Sequence, residues 1–163
     1  MTLALPRLNC FGRRLVVLAA FSFALGAAVV PAHATGDWLT VAGDMSEPVD
    51  TSKDVVQVNP GSIRDANGLR TMRLRTNRAE NRTSWDGVAY RSFDATVEFD
   101  CEKKTARYLS LTYFMEPVWR GSSHQTSSYT KDQFRPMAFR NMQPNPAARI
   151  IRAACESKSV TSN

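Results

Sequence analysis

Two segments of the chain each turn a cysteine toward apolar neighbours, and they do so with different periods. Between Phe93 and Cys101, the residues Ala95, Val97, Phe99 and Cys101 fall on one side of an alternating pattern, and Asp94, Thr96, Glu98 and Asp100 on the other. Period-two alternation marks a strand with one solvated face, so Cys101 points inward. Between Ala147 and Glu156 the period lengthens: Ala147, Ile151, Ala154 and Cys155 gather on one side of a helix with Ile150 at its edge, opposite Arg149, Arg152 and Glu156. Asn145-Pro146 supplies a cap residue and a proline at the first helical position. A strand cysteine and a helix cysteine that both face the core meet only if the helix packs on that face of the sheet.

The start of the chain decides which cysteines count. Arg7, Arg13 and Arg14 precede an uncharged apolar run from Leu15 to Val30, and Ala32-His33-Ala34 follows it as a small-x-small cleavage signal. The run is too short for the roughly 20 residues of a spanning helix. Residues 1–34 are therefore expected to be a secretory signal peptide, and 35–163 a single exported domain with no transmembrane segment. A domain of that size buries roughly two thirds of its unfolded surface. Cys10 leaves with the signal and stands ahead of the apolar run, so no lipid anchor is predicted. Cys101 and Cys155 remain, and in an oxidising compartment an even pair reads as one disulfide. Closing a loop of about 55 residues, it stabilises by at most ~4 kcal/mol in the chain-entropy picture.

Asp37 to Val41 reads as a first strand and Val55 to Val58 as a second, stopped by Asn59-Pro60-Gly61-Ser62. Asp65-Ala66-Asn67-Gly68 turns the chain into Leu69 to Thr76, where Met72 and Leu74 oppose Thr71, Arg73 and Arg75. Arg78 to Gly87 is charged and reads as a long exposed loop. Ala106 to Phe114 returns from the Cys101 strand as a hairpin partner, with Leu109, Leu111 and Tyr113 on one face. Pro117 to Ser128 is mixed: Val118 and Trp119 have strand character, and Gly121 to Ser128 is too small and polar to pack. Phe134 to Phe139 is either a last short strand or an extended approach, limited by Pro136, and Ser157 to Asn163 is a frayed tail.

The chemistry-bearing residues are few. With the signal removed, 18 basic and 15 acidic residues leave a charge of +3, too little to argue for nucleic acid. One histidine, His124, remains, which points to no metal site and no cofactor. Ser122, Ser123 and His124 are adjacent and make no triad, and no phosphate-binding glycine loop occurs, so no enzyme is expected. Arg70, Arg73, Arg75, Arg78 and Arg82 form the one positive concentration, a candidate contact for a protein or anionic polymer.

A set of short motifs then resembles the surface-adhesin protein E family of bacterial envelope proteins. They are Asp37-Trp38, Val58-Asn59-Pro60-Gly61-Ser62-Ile63-Arg64, Tyr90-Arg91-Ser92, Glu98-Phe99-Asp100-Cys101, Leu109-Ser110-Leu111-Thr112-Tyr113 and Ala153-Ala154-Cys155. The resemblance implies an α+β fold: an antiparallel sheet of about six strands, with a C-terminal helix packed on one face and tethered by the disulfide. It also implies a non-catalytic binding protein that holds host matrix or plasma proteins. The competing reading is a periplasmic envelope protein of structural or regulatory role without a host ligand. Export places the domain in the periplasm, in the medium or at the cell surface, and the oligomeric state stays open, a homodimer included.

Overall fold

The computed structural model describes residues 38–157. The expected signal peptide, its cleavage after Ala34 and most of the expected C-terminal tail lie outside them. Six strands run in chain order across one antiparallel sheet: β1 (Leu39–Ala42), β2 (Val55–Ala66), β3 (Leu69–Thr83), β4 (Ala89–Asp100), β5 (Thr105–Phe114) and β6 (Gln125–Ser128). One helix, α1 (Ala147–Glu156), packs against β2, β3 and β4. This is the α+β arrangement expected.

From Phe93 onward the alternation of β4 holds: Phe93, Ala95, Val97 and Phe99 are buried, and Asp94, Thr96 and Glu98 are half-exposed, whereas Ser92 just before is also buried. In α1, Asn145 Oδ1 accepts the Ala147 N–H and Pro146 has helical dihedrals, as the cap reading requires. The buried stripe is centred on Ile150 and Ala154, with Ala147, Ile151 and Cys155 beside it. Cys101 and Cys155 are disulfide-bonded, with Cα atoms 5.6 Å apart. Asn67 and Gly68, both at positive φ, make the β2–β3 turn, where glycine and asparagine tolerate the left-handed conformation best.

Four expectations change. First, β2 does not stop at Pro60. The chain bulges between Asn59 and Arg64, and the Ser62 hydroxyl donates to the Asn59 carbonyl while accepting the Arg73 N–H, so a side chain fills in for the ladder. The four residues of β1 end short of this point, and a proline without a donor is tolerated on that free edge. Second, Arg78 to Thr83 is strand rather than loop: β3 continues through an irregularity between Asn77 and Arg82. Asp54 makes this possible, because its carboxylate accepts the Ala79 N–H and pairs with the buried Arg78 at 3.3 Å. Third, Leu109 is the extra residue of a bulge in β5, so Tyr108, Leu111 and Tyr113 share the buried face and Leu109 does not. Fourth, Val118 and Trp119 lie in a short 3-10 turn (Pro117–Trp119), and the polar segment beyond it forms the edge strand β6.

After β6 the chain makes a single bridge, Pro136 to Arg107, so the Phe134 to Phe139 stretch is an extended approach. It then crosses the inner face, burying Met137, Phe139 and Met142 before the helix begins. Residues 137–142 and α1 therefore share one face of the sheet, and the other face carries neither.

Candidate functional site

Strand parity divides the five arginines singled out by charge. Arg70 and Arg78 share the inner face with Met72 and Leu74, Arg73 and Arg75 share the outer face, and Arg82 follows the irregularity in β3. They do not form one stripe. Arg70 Nη1 donates to the carbonyls of Ala154, Cys155 and Ser157 at 2.9, 3.0 and 2.8 Å, while its Nε bonds Asp65 at 2.7 Å. Orphan carbonyls at a helix C-terminus are where a cation is best placed, and α1 has no basic residue of its own in its last turn. Arg70 is a tie for the helix.

On the outer face Arg75 lies between two indoles, its guanidinium carbon 4.2 Å from the Trp38 ring centroid and 4.1 Å from that of Trp119. Its Nε donates to Gln57 Oε1 at 2.8 Å, and burial pulls its pKa down. The Trp119 Nε1 donates to the Phe93 carbonyl, which holds that ring against β4. Arg73, half-exposed, pairs with Asp94, and Arg107 pairs with Glu98 at 2.7 Å. These two ion pairs lie amid the hydroxyls of Thr96, Ser110 and Thr112, with Thr112 and Thr126 in mutual contact at 3.1 Å, while Arg75 has the indoles and Gln57 in place of a carboxylate. The sequence gives no sign that Trp38 and Trp119 enclose one arginine.

The inner face is hollow where the helix does not reach. A cavity of about 470 Å³ lies under residues 138–141, with Tyr90, Phe93, Tyr108, Leu111 and Tyr113 as its walls. Three arginines, Arg78, Arg82 and Arg140, line it together with Asn81, Ser84 and Trp85, and no acidic residue does. The walls interlock by ring contacts: Tyr90 with Tyr113 at 5.4 Å, Tyr90 with Phe93 at 5.6 Å and Phe93 with Tyr108 at 6.1 Å between centroids.

Arg78, 4% exposed, spans from Asp54 to the Arg140 carbonyl, which it meets at 2.8 Å, so it ties the strand to the segment above the cavity. Trp85, partly exposed at the mouth, has the Arg140 guanidinium over its ring at 5.5 Å. Its loop is pinned through Asp86, which binds the Tyr129 hydroxyl and, at 3.1 Å, Arg135. Burial raises the pKa values of Tyr90 and Tyr108, so both hydroxyls are protonated donors at neutral pH. The Tyr108 and Tyr113 hydroxyls and the Arg82 Nε are buried without an aligned hydrogen-bond partner, and the buried Arg78 Nε has only the Asp54 carboxylate, at 3.3 Å. The Ala138 amide stands beside the first hydroxyl, and Tyr129 beside the second, without closing such a bond.

His124, in the exposed approach to β6, uses its backbone N–H on the Tyr113 carbonyl, and Ser122 and Ser123 are exposed beside it. Among the described residues no group of three His, Cys, Asp or Glu side chains is placed to hold a metal ion, and no helix is long and apolar enough to cross a membrane.

A family model described as surface-adhesin protein E matches residues 38–156. Among solved structures, that of crystal form II of Haemophilus influenzae protein E is similar, with a TM-score of 0.38 and 14% identity, covering 62% of this chain and 82% of that one. A search of curated protein sequences finds no match.

Proposed function

The chain belongs to the surface-adhesin protein E family, and from that premise we propose that it is an exported, non-catalytic binding protein that holds a partner protein on the open outer face of its sheet. The signal segment 1–34 is removed, and 35–163 works as one domain outside the cytoplasm. The observation that supports this reading is the composition of that face. It carries neither α1 nor residues 137–142, and it presents Arg73, 52% exposed at its side chain, among strand hydroxyls and matched ion pairs. A flat polar face with local charge pairs suits a protein surface that completes or exchanges those pairs, where a bare cationic stripe would suit any polyanion. Arg75 stands behind it as the anchor of Trp38 and Trp119.

The test uses surfaces coated with basement-membrane extract, with plasma protein or with heparin. Saturable binding to a protein coat is expected, weakening as salt rises because exposed charges are screened over about 8 Å at physiological ionic strength. Arg73→Asp is expected to weaken it further while leaving the unfolding transition in place. Binding to heparin alone would move the reading to polyanions, and binding to none of the three would overturn it. Protease shaving of intact cells separates a surface location from a periplasmic one.

A further inference from the structure

The cavity under residues 138–141 has no part in the outer-face reading, and it combines features that a core avoids. It opens to the surface beside Trp85 and Arg82, and its volume of about 470 Å³ is within the range of small-molecule sites. Its walls are largely aromatic, so it offers area to an apolar body. Its buried unpaired groups can all donate: the Arg82 Nε–H and the Tyr108 and Tyr113 hydroxyls have no aligned acceptor, and no carboxylate lines the cavity to supply one, whereas the Arg78 Nε–H already faces Asp54 at 3.3 Å. Tyr108 and Tyr113 are 2% and 1% exposed, so bulk solvent does not reach these groups freely. A buried donor left unmade costs about 1–3 kcal/mol, so the cluster favours any occupant that brings acceptors.

Water is one such occupant, but water gains nothing from the ring walls of Phe93, Tyr90 and Leu111. Arg140 at the mouth has no carboxylate within ion-pair distance among the described residues, and Arg82 has only Glu80 at 3.9 Å. Positive charge at the mouth is thus incompletely matched, although Arg78 deeper in is paired with Asp54. We propose that this cavity is a binding site for a small organic anion, a carboxylate on an aromatic or branched apolar body, with Arg82, Tyr108 and Tyr113 around the carboxylate and Tyr90, Phe93 and Leu111 around the body. The site is preformed, because the Arg78 bridge to Arg140 and the Asp86 clamp on the Trp85 loop fix its roof and mouth.

Naphthalene-2-carboxylate and its neutral analogue naphthalene-2-carboxamide are suitable probes, titrated into the purified exported protein by calorimetry and by quenching of tryptophan fluorescence. The carboxylate is expected to saturate one site and to bind about tenfold more tightly than the amide, the ratio that one charge-assisted contact supplies. Arg82→Gln, partly exposed and unconnected to the roof, is expected to remove most of that ratio. Leu111→Trp, which fills the cavity, is expected to abolish binding, and Arg73→Ala on the outer face to leave it unchanged. If Leu111→Trp fails to fold, Tyr113→Phe replaces it, with a severalfold loss expected. Absence of saturable binding to the native protein, equal affinity for acid and amide, or binding indifferent to both cavity variants would overturn the proposal. Each outcome is independent of whether the outer face holds a protein.

Discussion

At the disulfide end of the sheet, β3 and β4 turn Met72, Leu74, Val97 and Phe99 inward, all at 1% exposure or less and none with a hydrogen-bonding group. Further along the same two strands the inward side chains are Arg78, Tyr90 and Phe93, under residues 138–141 in place of the helix. One half is closed by carbon, a crosslink and a capped helix end. The other is closed by a segment without secondary structure over a hollow that holds unpaired donors. Sequences that specify a fold keep their buried polar groups satisfied, and departures concentrate where a site has been built. The two halves should therefore respond to substitution in opposite ways.

The largest effect belongs to the disulfide. Replacing Cys101 or Cys155 by Ser removes a crosslink that spans 54 residues of sequence and is expected to cost ~2–4 kcal/mol, read as a lower midpoint of denaturant unfolding. If the halves differ as described, the loss loosens the helix-covered half first. Amide exchange should then quicken at Met72 and Phe99 before it quickens at Tyr90. Uniform acceleration across both halves would show that the sheet face is one cooperative unit.

A smaller effect belongs to Arg70. Arg70→Met keeps the length of the stem but removes two bonds to the last carbonyls of α1, one to the Ser157 carbonyl just beyond, and the pair with Asp65. The head is partly solvated, at 23% exposure, so the loss is expected to be about 1–2 kcal/mol, below the 1.5–3 kcal/mol per bond of a fully buried charged donor. Exchange at Ala153 to Glu156 should quicken with it. An unchanged midpoint would mean that the disulfide alone holds the helix end.

The helix-covered half was legible in the sequence and the hollow half was not, for physical reasons that differ by residue. Phe93 to Cys101 and Ala147 to Glu156 each bury one face against a large partner, so period and burial coincide and both cysteines could be placed. Arg78 defeated the charge reading because its partners, Asp54 and the Arg140 carbonyl, are distant in sequence, and a charged residue with such partners is free to be buried. Leu109 defeated the alternation of β5, since one bulged residue inverts the parity of every residue before it. Pro60 defeated the turn reading because the Ser62 hydroxyl stands in for a ladder group. The cavity could not be read at all: its roof, residues 138–141, has no period, and its walls come from three strands.

The smallest effect has the opposite sign and tests the hollow half directly. Tyr108 is buried to 2% exposure with a hydroxyl that closes no aligned hydrogen bond, and its ring packs against Phe93 and Trp85. Tyr108→Phe keeps the ring and deletes only the oxygen. In the helix-covered half, removing a well-bonded buried group lowers stability. Here the deletion relieves an unmade bond, and a gain of up to about 1 kcal/mol is expected, at the low end of the penalty for a buried unsatisfied group because water can serve it in part. The same variant is expected to bind naphthalene-2-carboxylate more weakly, so stability and affinity move in opposite directions, as they do where a protein keeps polar groups for a ligand. A loss of stability above about 1 kcal/mol would show that the hydroxyl is paired in the native protein, and the contrast between the two halves would then be one of shape alone.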